Sequence, residues 1–241
     1  MKRRRACAEP AVCLLLALLL LAGRAGAQYE DQPRFEPFPS RYVSAGLNGE
    51  VFSPLGTNPI PDSLAIRFHR LMPMLAYHQG LVDIVFGYAA YQLHGQSRSS
   101  VIFSTTVANE LSLTGRGQHT LLVPIVLAAD FTKAEALGGL RDNFNIGSIG
   151  LGGGLRYRFV SPGVEFSIRG LEIAHFCFEG FGVGNGFSAA TLGEASLLLK
   201  EIPVADGLVL GYRFRQQTWS MSDRTFRYRS VSHGPYLGVM F

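Results

Sequence analysis

Residues 144–159 read FNIGSIGLGGGLRYRF, and the chemistry changes at nearly every step. Ile149, Leu151, Leu155, Tyr157 and Phe159 share one parity. Ser148, Gly150, Gly152, Gly154, Arg156 and Arg158 share the other. Side chains of a β-strand point alternately to its two faces, so this pattern predicts a long strand with one apolar and one polar face. The glycines at 147, 150, 152, 153 and 154 do not make a phosphate loop, which needs a strand, a turn and then a helix. Here alternation continues through to Phe159. Glycine instead leaves room on a crowded face and lets a sheet bend.

The same alternation recurs outward from this stretch. Val101, Phe103, Val107, Leu111 and Leu113 oppose Ser104, Thr106, Ala108, Glu110 and Ser112. Val164, Phe166 and Ile168 oppose Glu165, Ser167 and Arg169. Leu208, Leu210, Tyr212 and Phe214 oppose Gly211, Arg213, Arg215 and Gln217. No segment after residue 40 keeps a capped 3.6-residue period. The chain reads as all-β, with strands over 42–53, 64–77, 81–94, 99–113, 118–132, 144–159, 163–178, 188–201, 207–220 and 225–241. Ten strands are expected, with eight as the alternative.

Most of these runs are far longer than the usual five or six residues of strands in soluble proteins. They suit a hydrocarbon layer, which takes about 9–11 residues of tilted strand. An edge strand in lipid would leave unpaired backbone groups, so the sheet must close. The expected fold is therefore a closed antiparallel transmembrane β-barrel over 41–241. With the N-terminus on the periplasmic side, the outward connections are 54–63, 95–98, 133–143, 179–187 and 221–224. The inward ones, 78–80, 114–117, 160–162 and 202–206, are short. Short periplasmic turns and longer outer loops are the rule in such barrels. Phe52, Tyr77, Tyr91, Phe131, Phe144, Phe159, Trp219 and Phe226 lie near strand ends and read as interfacial girdles.

The first 27 residues read as an address. Lys2, Arg3, Arg4 and Arg5 precede an apolar run over 11–22, and Ala25 and Ala27 form a cleavage pattern before Gln28. That order is a secretory signal peptide. Residues 28–40, with Pro33, Pro37 and Pro39, read as an extended periplasmic leader. The formal charge of +4 belongs to the address. Without Lys2, Arg3, Arg4, Arg5, Arg24 and Glu9, 17 basic and 17 acidic residues remain, so no nucleic-acid partner is expected. Charged residues make up 17% of the chain, against roughly 25% in soluble domains, as an apolar exterior requires.

The C-terminus ends in Leu237, Val239 and Phe241 on alternate positions. This resembles the last-strand signal of bacterial outer-membrane β-barrel proteins. The resemblance implies an outer-membrane location, lipid contact and recognition by the barrel-assembly machinery. It implies nothing about activity. The parity that turns Phe241 outward also turns Arg227 and Arg229 outward, at a cost of about 2–4 kcal/mol for an Arg at mid-bilayer. Either a bulge near 232–235 flips the phase, or the two Arg lie beyond the outer interface.

The polar faces carry Arg156, Arg158, Arg169, Arg213 and Arg215, with Glu110, Asp130, Glu165 and Glu194 as partners. These are expected to face the lumen as a packed charge network, an ion path being the alternative. Six His are scattered, and Cys177 is the one Cys after residue 27, so neither a metal nor a cofactor is expected. His175 and Cys177 share a strand face and are the candidate base and nucleophile. They resemble the His-x-Ser of outer-membrane lipid A deacylases, although Cys replaces Ser and Phe178 stands where that family has Asn. The expected role is a monomeric, non-enzymatic outer-membrane barrel that is structural, surface-interacting or at most a narrow conduit. A hydrolase of lipid A or phospholipid acyl chains, and a soluble periplasmic domain binding an apolar ligand, are the alternatives.

Overall fold

A computed structural model describes residues 41–56, 65–116, 118–137, 143–179, 185–202, 205–221 and 227–241. Residues 1–40, read above as signal peptide and leader, and Phe226 lie outside the described residues. Ten strands form one ring: β1 Arg41–Pro54, β2 Phe68–Gln79, β3 Val82–Leu93, β4 Gln96–Arg116, β5 His119–Ala134, β6 Phe144–Ser161, β7 Val164–Glu179, β8 Asn185–Ile202, β9 Ala205–Met221 and β10 Arg227–Met240. Every neighbouring pair is antiparallel, and β1 pairs with β10 to close the barrel.

The register can be followed around the wall. From Tyr42 it runs through His78, Asp83, Thr106, Ala128, Gly150, His175, Ser188, Trp219 and Tyr228. It returns to β1 at Pro54, twelve residues from its start. Such a displacement goes with strands tilted about 35–45° and an interior filled by side chains.

One end carries connections of two residues, at 80–81, 117–118, 162–163 and 203–204; the other carries 55–67, 94–95, 135–143, 180–184 and 222–226. These are called the turn end and the loop end. The outward connection expected at 95–98 is a two-residue turn, because His94 and Gly95 both take positive φ (48° and 79°). That is the backbone of a tight hairpin turn matched to strand twist.

Proline interrupts the ladders because it lacks an N–H. Pairing of β2 with β3 starts at Met74, next to Pro73. It lapses beside Pro124 between β5 and β6, and beside Pro235 between β1 and β10. The register is the same on both sides of Pro235, and β9–β10 pairing is continuous through Gly234. The expected bulge at 232–235 is therefore absent, and the phase does not flip. On β4–β5 the register shifts between Ser112 and Thr114. Arg227 and Arg229 keep the outward parity of Leu237. They sit at the loop end of β10 opposite Ser220 and Thr218.

The alternation decides inside from outside. Ile149, Leu151 and Leu155 are more than half exposed on the outer wall, while Ser148, Glu165 and Ser167 are buried.

Candidate functional site

The polar faces meet inside the barrel. Near the turn end Arg158 donates to both oxygens of Glu165, at 2.6 and 2.9 Å, and Lys200 lies 3.7 Å from the same carboxylate. Arg156 pairs with Glu110 at 2.8 Å and donates to Ser167 at 2.9 Å. The next layer is a quartet from four strands. Arg169 lies 2.6 Å from Asp83 and 2.5 Å from Glu194, and Arg213 lies 3.0 Å from Glu194. Tyr236 donates to Glu194 at 2.5 Å and lies under the Arg213 guanidinium. His78 contacts Asp83 and stacks on Tyr42.

Above this quartet Asp130 gathers three partners: Arg215 at 2.8 Å, Ser104 at 2.5 Å and His175 at 2.9 Å. Arg215 also donates to Gln217, which donates to Ser188. Ser230 donates to Glu50. Buried charges are tolerated when paired and hydrogen-bonded; Asp83, Asp130, Glu165 and Glu194 each meet an arginine, whereas Glu50 is held by a hydroxyl and its Oε2 has no hydrogen-bond partner among the described residues.

Two of the contacts span the lumen. Asp83 on β3 meets Arg169 on β7, and Asp130 on β5 meets Arg215 on β9. A cavity of about 30 Å³ lies between Tyr42, His78, Arg156, Arg169 and Glu194 near the turn end. That is room for one or two waters.

The loop end is closed by rings. Phe52, Phe68, Tyr91, Phe144, Trp219 and Tyr228 are all buried in one cluster. Phe68 stacks on Tyr91 with centroids 4.2 Å apart, and Phe52 packs on Phe68, Phe144, Trp219 and Tyr228. This corrects the girdle reading for Phe52, Tyr91, Phe144 and Trp219, which point inward. Their parity with Glu50, Asp83, Ser148 and Gln217 was the signal for it. Tyr77, Phe131 and Phe159 have the outward parity.

All nine expected lumen charges are brought together in pairs. Sequence reading missed Asp83, Lys200 and the buried polar partners His78, Glu50 and Tyr236. Strand β3 is apolar on both faces, so Asp83 gives no phase by itself.

His175 and Cys177 both face the lumen. The His175 side chain is fully buried, with Nε2 at ion-pair distance from Asp130 but off the hydrogen-bond direction, and Nδ1 without a hydrogen-bond partner among the described residues. A Cβ on Gly150 would lie 2.4 Å from the His175 ring, so this glycine exists to seat it. Cys177 is buried in the aromatic cluster. Both groups are therefore enclosed among the described residues.

No family model matches the chain, and no curated protein does. Among solved structures it is similar to the outer-membrane protease OmpT of Escherichia coli, at 10% identity over 88% of this chain and 99% of that one, with a TM-score of 0.43. It is also similar to the toluene transporter TbuX of Ralstonia pickettii (8% identity, 84% and 90% covered, TM-score 0.25). The P. putida toluene transporter TodX gives 8% identity, 86% and 91% covered, and a TM-score of 0.28.

Proposed function

We propose that this chain is an integral outer-membrane β-barrel that acts through its outer wall and loop end, with no solute path through its centre. The observation that carries this reading is the pair of cross-lumen ties, Asp83–Arg169 and Asp130–Arg215. A path for solutes would have to separate these ions, and separating a buried pair is costly.

The membrane part of the reading is supported by the wall. Leu71, Leu75, Leu127 and Ile149 are each at least 55% exposed, in a belt that runs round the barrel. A water-soluble protein rarely exposes so large a continuous apolar surface. Leu237, Val239 and Phe241 all face outward at the turn end, where lipids and the assembly machinery would meet them.

The test has two parts. Membranes holding the protein are washed with carbonate or urea; retention, together with heat-modifiable gel migration, is expected. Release without detergent would favour the soluble periplasmic domain and sink the membrane reading. Purified barrel in a planar bilayer is expected to give no sustained current steps. A steady open level would restore the conduit.

A further inference from the structure

The ladders resume after Pro124 and Pro235, but between β2 and β3 they do not resume beyond Pro73. These two strands pair from Gln79 with Val82 up to Met74 with Gly87, and no residue of 68–73 pairs with one of 88–93. Both stretches stay extended, because β1 holds the first and β4 the second. Backbone groups along the two edges of this seam therefore lack a ladder partner. Such groups are costly in a membrane unless something meets them.

The seam is sealed on its inner side. Phe68 stacks on Tyr91, and Met72 and Met74 pack with Ala89 and Ile102. A Cβ on Gly87 would run into the sulfurs of both methionines. On its outer side the seam is open. Arg70 has the inward parity of Phe68 and Met72, which are 6% and 0% exposed, yet Arg70 is exposed. With a buried neighbour toward either end, its way out is through the seam. Directly opposite on β1 stands Glu50, 1% exposed and with Oε2 lacking a hydrogen-bond partner among the described residues. Residues so paired have Cβ atoms about 4.5–5.5 Å apart, close enough for an ion pair. Arg70 leaves this carboxylate and turns outward instead.

The surroundings select what it meets there. Arg67 and His69 beside the seam, and Arg227 and Arg229 on β10, are exposed. No Asp or Glu has the outward parity on β10, β1 or β2, and among the described residues none of these arginines has an ion-pair partner. The next outward positions toward the turn end are Val231, Val51 and Leu71. A face that changes from cationic to apolar marks the level where headgroups give way to hydrocarbon. The anions at that level are lipid phosphates, which arginine binds through paired N–H donors. Arg67 and Arg70 are three residues apart, at most about 10 Å between Cα atoms, so both side chains reach one phosphate.

We propose that the outer side of the β2–β3 seam binds the phosphate headgroup of an outer-leaflet lipid, with Arg70 and Arg67 as its cations and the free N–H groups of the seam donating to neighbouring headgroup oxygens. This deepens the outer-wall reading above and rests on its membrane location, in which the loop end meets the outer leaflet.

Purified barrel in neutral detergent is titrated with fluorescent lipid A that carries its phosphates. Arg70→Gln should weaken binding by about tenfold, the scale of a lost charged hydrogen bond. Arg67→Gln should act in the same direction. Lys133→Gln, which removes a cation at the loop end of the far wall, should leave the affinity unchanged. Lipid A stripped of its phosphates should bind the unmodified barrel no better than it binds R70Q. Heat-modifiable migration shows that each variant forms the barrel, and R67Q decides if R70Q does not. The site is overturned if both arginine variants bind the phosphorylated lipid as tightly as the unmodified chain, if K133Q weakens binding as much as they do, or if the phosphate-free lipid binds equally well. Displacement of the lipid by inorganic phosphate would also overturn it, in favour of a site for the free anion. Release of the protein from membranes by urea would instead overturn the membrane reading, whatever the arginine variants show.

Discussion

Toward the turn end of the lumen Arg169, Arg213, Asp83 and Glu194 meet as ions; at the loop end Phe52, Phe68, Phe144 and Trp219 meet as rings. Both groups fill a narrow barrel, but they respond differently to damage. A ring that is removed leaves an empty space, and its neighbours lose contacts in proportion. An ion that is removed leaves its partner charged, buried and unpaired, and that penalty falls on the whole lumen. Close packing serves one end, and completeness of pairing the other.

The largest expected effect is therefore Glu194→Leu, which leaves Arg213 without its ion pair, takes from Arg169 one of its two carboxylates and strands the Tyr236 hydroxyl. Urea unfolding in lipid vesicles should show a loss of about 3–5 kcal/mol. Replacing Asp83, Arg169, Glu194 and Arg213 together by apolar residues of similar volume should cost less than that single change. If the quadruple variant is worse, completeness of pairing is not the governing factor.

Phe52→Ala probes the other end. Phe52 is 1% exposed and touches four rings, so a loss of about 3–4 kcal/mol is expected in the same assay. A second-site Phe68→Ala should add less than its own single cost, because the two rings share one cavity.

Glycine gives a smaller contrast. Gly154→Ala forces a Cβ against the Gly170 carbonyl and should cost about 1–3 kcal/mol. Gly170→Ala meets nothing within 4 Å and should change stability by less than about 0.5 kcal/mol. Equal losses would remove the distinction between forced and open glycines.

The smallest effect is expected at the exposed rim. The hydrogen bond from Lys133, at 2.9 Å, holds the Glu135 carboxyl below its usual range. A carboxyl with a lowered folded value contributes stability above its unfolded value of about 4.3, and that contribution is lost as pH falls through the folded one. Lys133→Gln should move the Glu135 titration, followed by NMR in detergent, back up toward the ordinary value. The stability change should stay under about 1 kcal/mol, because the pair is solvent-screened.

Strand after strand was legible in the chain, and the reason is visible in β6. Its two parities differ so sharply in polarity that one register slip would turn Arg156 and Arg158 into the apolar wall. β3 shows the limit. Val85, Ala89 and Tyr91 are as apolar as Ile84, Phe86 and Tyr88, so its pattern says strand without saying which face is inner. That is why Asp83 went unread as a lumen residue. Trp219 shows a different failure. Its position near a strand end pointed to an interface, while its parity with Gln217 pointed inward, and parity was the physical constraint.

Local alternation thus determined the strands, their faces and the charges that would be enclosed. It could not determine which of those charges would meet. Asp83 and Arg169 are 86 residues apart in the chain and on non-neighbouring strands. They touch because the ring closes with a twelve-residue displacement that sets the height of each strand against those across the lumen. That displacement belongs to the closed ring as a whole, since it accumulates over ten ladders and is carried by no single strand.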